Sequence, residues 1–161
     1  MSEQKNVNTR PILADEIRSI LSGDALKRAL DFAEHLKAND MHYTGNHCEI
    51  HYKDKCACYI YLDQSCQVHG PWTIWTEGKY TSEHENVPMD KRMKEIAWAN
   101  VSTCLNCGNS CNPGHCETIF GKDFNNVCNA ILRFRNPDTE TLECVKKLLL
   151  YRKYEIDTYS K

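Results

Sequence analysis

Four cysteines within residues 104–116 are the strongest chemical signal in this sequence: Cys104, Cys107, Cys111 and Cys116. Zinc takes four cysteine or histidine ligands in a tetrahedron, with sulfurs at about 2.3 Å. The Cys-x-x-Cys pair is followed by Gly108, which suits a tight turn around a bound ion. Because four protein ligands leave no open position, the spacing predicts a structural zinc site, with His115 as an alternative fourth ligand in place of Cys116.

Two alternatives to zinc remain open for this cysteine loop (residues 104–116). An iron–sulfur cluster is also held by cysteine thiolates, although the spacing differs from the usual ferredoxin run. A thiol or disulfide role is the second alternative, and either of the two would make the protein a redox sensor or enzyme. Zinc is favoured because four unliganded thiols in a polar loop would be exposed to oxidation.

The remaining histidines and cysteines offer a weaker set of candidates. A second metal site would need the fold to bring together residues with ligand-like types and spacing, namely Cys66, His69, His47 and His51. Three further cysteines fall on the apolar face of an alternating pattern, which favours core positions over functional ones: Cys48, Cys56 and Cys58. Cys128 and Cys144 stand singly and are predicted to be packed.

An aromatic strand face is the third candidate site. Tyr59, Tyr61 and Trp75 lie on two alternating stretches and would together hold a small ligand, although packing against helices is the interpretation that we favour for them. The sequence has no glycine-rich phosphate loop, nucleophile elbow or His-Glu-x-x-His motif. We therefore expect a zinc-stabilised binding or interaction domain without catalytic activity.

Length and charge narrow the class of protein. A chain of 161 residues has the size of one domain, and a net charge of −2 gives no reason to expect nucleic acid as a partner. A protein or a small molecule is the expected partner. No stretch approaches the roughly 20 apolar residues of a membrane helix, and the polar start predicts no secretory signal. These features indicate a cytoplasmic protein with reduced cysteines.

The periodicity of apolar residues predicts the elements that position these candidates. Helices are expected over residues 14–22, over 24–37 with Asp24 as N-cap, from near Pro88, and over 139–154 with Asp138 as cap. One stripe of the last helix is marked by residues at helical spacing: Leu142, Val145, Leu149 and Arg152. A hairpin with the turn 53–55 would pair Tyr52 with Cys56, Ile50 with Cys58 and Cys48 with Ile60. Further strands are expected at 72–76 and 130–134.

Together these elements predict an α+β fold. An antiparallel sheet of about four strands is packed on one face by N-terminal, middle and C-terminal helices. Residues 1–11 are expected to form a flexible tail, and residues 12–161 a single domain that contains the cysteine loop.

Three stretches carry a resemblance to known proteins: Arg10-Pro11, the turn Lys53-Asp54-Lys55-Cys56, and residues 142–153. In this order they resemble a family of small bacterial domains of unknown function. The resemblance implies N-terminal helices, an antiparallel sheet and a closing helix. The cysteine loop is an addition to that pattern, and the resemblance assigns no catalytic residue.

Overall fold

A computed structural model of the protein describes residues 12–45, 48–66, 70–76, 89–105 and 114–159. The predicted tail, residues 1–11, lies outside them. The described residues form four helices and seven strands, in the order α1 (Leu13–Ile20), α2 (Gly23–Ala38), β1 (Met41–Tyr43), β2 (Glu49–Tyr52), β3 (Lys55–Leu62), β4 (Trp72–Thr76), α3 (Lys91–Ala99), β5 (Val101–Thr103), β6 (His115–Ile119), β7 (Lys122–Arg135) and α4 (Thr139–Tyr159). The α+β class is confirmed, but the sheet has seven strands where we predicted about four.

All of these strands belong to one antiparallel sheet, in the order β1-β2-β3-β4-β7-β5, with β6 also paired to β7. The long strand β7 organises one end of this sheet. Its C-terminal part pairs with β4, and its N-terminal part pairs with β6. Val127 of β7 pairs with both Thr103 of β5 and His115 of β6. Because one residue has only two lateral neighbours, β5 and β6 lie on opposite edges of β7.

The hydrophobic core lies on one face of the sheet. Ile60, Ile74 and Phe134 form a row across β3, β4 and β7, and each is at most 1% exposed. The ring of Trp72 on this face contacts Phe32 of α2, with ring centroids 6.1 Å apart. The helices therefore cover this face, which we call the helix side.

The closing helix largely follows its predicted pattern. The Asp138 carboxylate accepts a hydrogen bond from the Thr141 backbone amide at 2.8 Å, as expected of an N-cap. The predicted stripe is buried along its whole length: Leu142, Val145, Leu149 and Arg152. The helix continues to Tyr159, beyond the predicted end at residue 154, and Ile156 supplies a further buried residue there.

The starts of the other helices differ from the prediction. The N-cap of α2 is Ser22, so the prediction of Asp24 in that position was wrong, and Asp24 lies in the first turn. In α3 the N-cap is Asp90, whose side chain accepts from the Met93 amide at 2.8 Å. The predicted start at Pro88 lies outside the described residues.

The β2–β3 hairpin has a tighter turn than we predicted. Lys55 pairs with Tyr52, so only Lys53 and Asp54 form the turn, and the predicted Tyr52–Cys56 pair was wrong. Lys53 takes a left-handed backbone conformation, φ 55°, that suits a two-residue turn. A bulge after Ile50 then restores the predicted pair of Ile50 with Cys58.

Candidate functional site

The three aromatic residues singled out in the sequence do come together. The rings of Tyr61 and Trp75 stack at an interplanar angle of 14° with centroids 6.3 Å apart, and Tyr59 lies 5.9 Å from Trp75. We call Tyr59, Tyr61 and Trp75 the aromatic face. Tyr61 is 37% exposed, and the other two residues are half-buried. The Tyr59 ring is tilted by 42° from that of Trp75, so Tyr61 and Trp75 are the pair with nearly parallel rings. Rings in such arrangements attract one another.

Strand register explains why these rings meet. Tyr59 pairs directly with Trp75 across β3 and β4, and directly paired residues point to the same side of a sheet. Their neighbours Ile60 and Ile74 point to the helix side, so the aromatic face lies on the opposite side. The interpretation that these three residues pack against the helices was therefore wrong. Trp72, by contrast, is fully buried on the helix side.

An arginine that was not singled out in the sequence completes this surface. Arg133 of β7 pairs with Trp75, and its guanidinium carbon lies 5.4 Å from the centre of the Trp75 ring. One Nη donates a long hydrogen bond, 3.8 Å, to the sulfur of Cys128. The Nε atom is buried and has no hydrogen-bond partner among the described residues. Among the described residues, no carboxylate forms an ion pair with Arg133.

Acidic groups lie at two other points of the same surface. Glu49 pairs with Tyr59, so one row crosses the sheet from Glu49 through Tyr59 and Trp75 to Arg133. A carboxylate oxygen of Glu49 lies 2.7 Å from Nε2 of His51. The Tyr61 hydroxyl donates to Asp63 at 3.4 Å, and the negative charge of Asp63 raises the pKa of Tyr61. The row therefore has a negative end on β2 and a positive end on β7.

The predicted second metal site is not assembled by the residues that the structure describes. His51 contacts Glu49 and lies near His42, with ring centroids 6.2 Å apart. Cys66 is half-buried in the turn after β3, where its amide donates to the Asp63 carbonyl oxygen. The other two members of that set, His47 and His69, lie outside the described residues.

The cysteine loop is only partly described, since Cys107 and Cys111 lie outside the described residues. Its C-terminal end is not a loop, because His115 and Cys116 belong to β6. Cys104 is buried at the end of β5, and its amide donates to the Asn126 carbonyl oxygen at 2.8 Å. Cys116 is exposed, and its thiol donates to the Asn125 side chain at 3.4 Å.

The two described cysteines of the predicted zinc site approach β7 from opposite edges. Adjacent strands are about 4.8 Å apart, which puts roughly 10 Å between the β5 and β6 backbones. Two sulfurs bound to one zinc ion are about 3.8 Å apart, given bonds of about 2.3 Å in a tetrahedron. Residues 12–45, 48–66, 70–76, 89–105 and 114–159 contain no group of three or more side chains that could hold a metal ion. His115, the alternative ligand, contacts Asn129 at 2.7 Å.

The remaining cysteines are mostly core residues. Cys58, Cys128 and Cys144 are buried, as predicted, whereas Cys48 and Cys56 are only half-buried. Burial raises the pKa of the Cys58 thiol and raises the pKa of Cys144 to about 12. Both thiols are therefore protonated at neutral pH, and protonated thiols are poor nucleophiles and poor metal ligands.

Comparisons with family models, with curated proteins and with solved structures found no match to this chain. The resemblance to small bacterial domains of unknown function therefore stays a prediction. In the described part of the chain, no helix combines the length and the apolar character needed to cross a membrane.

Proposed function

We propose that this protein is a small-ligand-binding domain whose aromatic face stacks against a planar ligand. The observation that carries the proposal is the arrangement of Tyr59, Tyr61 and Trp75, which lie side by side on the face opposite the helices. Aromatic side chains that pack only to stabilise a core are buried by other elements. These three rings keep part of their surface accessible while contacting each other, which is the geometry of a stacking platform.

Rigidity supports a binding role for this surface. Tyr59 and Tyr61 are on β3, and Trp75 is on β4, so all three project from paired strands in the middle of the sheet. The opposite side of the same strands is anchored by fully buried residues such as Ile74. A platform that is already ordered loses little conformational entropy when a ligand binds. We propose that the protein binds its ligand without catalysing a reaction, because this surface is mainly aromatic.

The zinc-stabilised interaction domain predicted from the cysteine loop remains a separate proposal. The described residues lend it no support, since Cys104 and Cys116 approach β7 from opposite edges. Ligand binding at the aromatic face does not depend on it, because that face is formed by β3 and β4. Metal analysis of the purified protein tests the zinc proposal on its own.

Nuclear magnetic resonance of the tryptophan indole N–H groups tests the binding proposal. The chain has three tryptophans, and they differ in environment. Trp72 is fully buried, and the Trp98 indole donates to the Ile119 carbonyl oxygen at 2.7 Å. Benzamide, a neutral planar probe, is expected to shift the Trp75 indole signal and to leave those of Trp72 and Trp98 unchanged. The Trp75→Phe variant identifies the signal.

A matched pair of tyrosine variants provides the control. Tyr61→Leu removes one ring of the platform and is expected to weaken the benzamide response of Trp75 several-fold. Tyr154→Leu removes a 66% exposed tyrosine from α4 and is expected to leave the response unchanged. A Trp75 signal that does not respond to benzamide, or that responds equally in both variants, would contradict the proposal.

A further inference from the structure

We infer that the ligand of the aromatic face is an aromatic oxyanion, and that its carboxylate or phosphate group binds to Arg133. This inference rests on the proposed function and names the chemical class of the ligand. It starts from the contacts that Arg133 makes with the described residues, which are incomplete for a partly buried cation. An ionised group that has left bulk water is normally paired or fully hydrogen-bonded, because burial of an unpaired charge is costly.

Another arginine in the same chain shows what is missing. Arg92 donates two hydrogen bonds of 2.8 Å, from Nε and one Nη, to the two carboxylate oxygens of Glu140. The same edge of Arg133 is unpaired: within the described residues its buried Nε has no partner, and one Nη reaches the Cys128 sulfur at 3.8 Å. A two-oxygen anion is the group that this edge fits best, since carboxylates and phosphates accept both N–H groups in parallel.

The position of Arg133 links the anion to the aromatic face. Its guanidinium lies against the ring of Trp75, so a ring stacked on the platform would hold an attached oxyanion within reach of Arg133. The residue is partly exposed although its Nε is shielded. Bidentate binding therefore requires a rotation of the terminal side-chain bonds that exposes Nε and replaces the weak thiol contact with a ligand oxygen. The aromatic contact with Trp75 keeps the cation on this side of the sheet.

The other charges on this face set the orientation of the ligand. Glu49, three strands away from Arg133, lies about 14 Å away at the usual strand spacing and repels an anion at that end. Asp63 has the same effect beside Tyr61. Three further charged or titratable groups that the structure describes also lie on this face: His51, which contacts Glu49, its cross-strand partner His42, and Arg135. The oxyanion is thus directed to β7, and the ring to β3 and β4.

A single charged group fits this site better than a polyanion. Across the described part of this surface, Arg133 is the guanidinium that lies against the platform without a carboxylate partner, and the chain as a whole has a net charge of −2. Nucleic-acid surfaces neutralise several phosphates with clustered lysines and arginines. The ligand class is therefore a small aromatic acid or aromatic phosphate monoester. Benzoate and phenyl phosphate represent the two sources of the oxyanion.

Titration with three matched probes tests the inference. Benzamide, benzoate and phenyl phosphate share one ring and differ in charge, and the Trp75 indole signal reports binding of each. A charge-assisted bidentate contact is expected to make one of the anions bind about tenfold more tightly than benzamide. The same anion is expected to shift the Arg133 Nε–H signal. The stronger of the two anions identifies the oxyanion as a carboxylate or a phosphate.

Two variants separate this inference from the proposed function. Arg133→Met is expected to abolish the preference for the anion while benzamide still binds. Arg133→Lys keeps the positive charge but loses the two parallel N–H donors of the guanidinium. It is expected to retain only part of the preference for the anion. Lys122→Met is the matched control, since Lys122 is on the same strand and also lies 5.4 Å from an aromatic ring, that of Trp98. It is expected to change nothing.

The possible outcomes distinguish the two proposals. Equal binding of benzamide and both anions, or an anion preference that survives Arg133→Met, would overturn the inference and leave the stacking platform intact. Absence of binding by all three probes would overturn the proposed function as well. Should Arg133→Met fail to fold, the comparison of the probes on wild-type protein and on Arg133→Lys still decides between these outcomes.

Discussion

Arg133 should contribute nothing to stability if its purpose is to bind a ligand. Replacement by Met keeps most of the aliphatic packing and removes the buried Nε, which has no hydrogen-bond partner among the described residues. An unsatisfied buried donor lowers the free energy of unfolding by about 1–3 kcal/mol, and the contact with Trp75 raises it by about 0.5–1 kcal/mol. The Arg133→Met variant is therefore expected to match or exceed wild-type stability, by about 0–2 kcal/mol.

Arg152 provides the matched control for this prediction. Arg152 is more buried than Arg133, and it donates to the Cys56 carbonyl oxygen and lies 3.4 Å from the Glu155 carboxylate. Arg152→Met leaves that carboxylate buried, since only 10% of the Glu155 side chain is exposed. Removal of one partner from a buried ion pair lowers the free energy of unfolding by about 3 kcal/mol or more.

Urea unfolding followed by circular dichroism measures both variants. The midpoint for Arg133→Met is expected at or above that of wild-type protein, and the midpoint for Arg152→Met well below it, with similar slopes. A loss of more than about 1 kcal/mol in Arg133→Met would refute the reasoning, because an arginine that stabilises the fold to that extent has a structural role.

Three further predictions concern a helix cap, thiol reactivity and metal content. Asp138→Ala is expected to destabilise α4 by about 1 kcal/mol at neutral pH. Hydrogen bonds from Thr141 lower the pKa of Asp138, so this stabilisation is lost as the pH falls through that lowered value, and urea midpoints of variant and wild type should converge in acid. Iodoacetamide should label exposed Cys116 well before buried Cys144, as peptide mass spectrometry will show. If the zinc proposal holds, the protein is colourless, elemental analysis finds one zinc ion per chain, and the Cys116→Ser variant contains less zinc. A brown protein would instead indicate an iron–sulfur cluster.

Long periodic segments were predictable from the sequence, and short or polar ones were not. Strand β4 and the buried stripe of α4 were predicted correctly because apolar residues recur there at the period of the element. Strands β1 and β5 have three residues each, too few to show alternation. The first half of β7, residues 122–129, is largely polar, and its pairing with β6, and with β5 at Val127, makes it a strand.

Two of the four cysteines predicted to bind zinc, Cys104 and Cys116, lie in the described residues, and the zinc site itself stays a prediction. The predicted zinc site assumed that residues 104–116 form one loop around an ion. In the structure, His115 and Cys116 belong to β6, and Cys104 directly follows β5 on the other edge of β7. The turn at Phe120 and Gly121, both in left-handed conformations, returns the chain into β7 between them. Strand pairing therefore separates two cysteines that are close in sequence.

The aromatic face shows the opposite relation, because residues far apart in sequence meet. Tyr59 and Trp75 were recognised from their alternation, but Arg133 lies in a different part of the chain and reads as an ordinary strand residue. Its proposed role depends on three features of the fold. The centre of the Trp75 ring lies 5.4 Å from the guanidinium carbon, and the Cys128 sulfur lies 3.8 Å from one Nη. The Nε has no hydrogen-bond partner among the described residues. Because a missing hydrogen-bond partner is a property of tertiary structure, no sequence pattern predicts it. Among the described residues, a cation with incomplete hydrogen bonds lies beside three partly accessible rings. This combination points to a ligand that supplies both the ring and the oxygens.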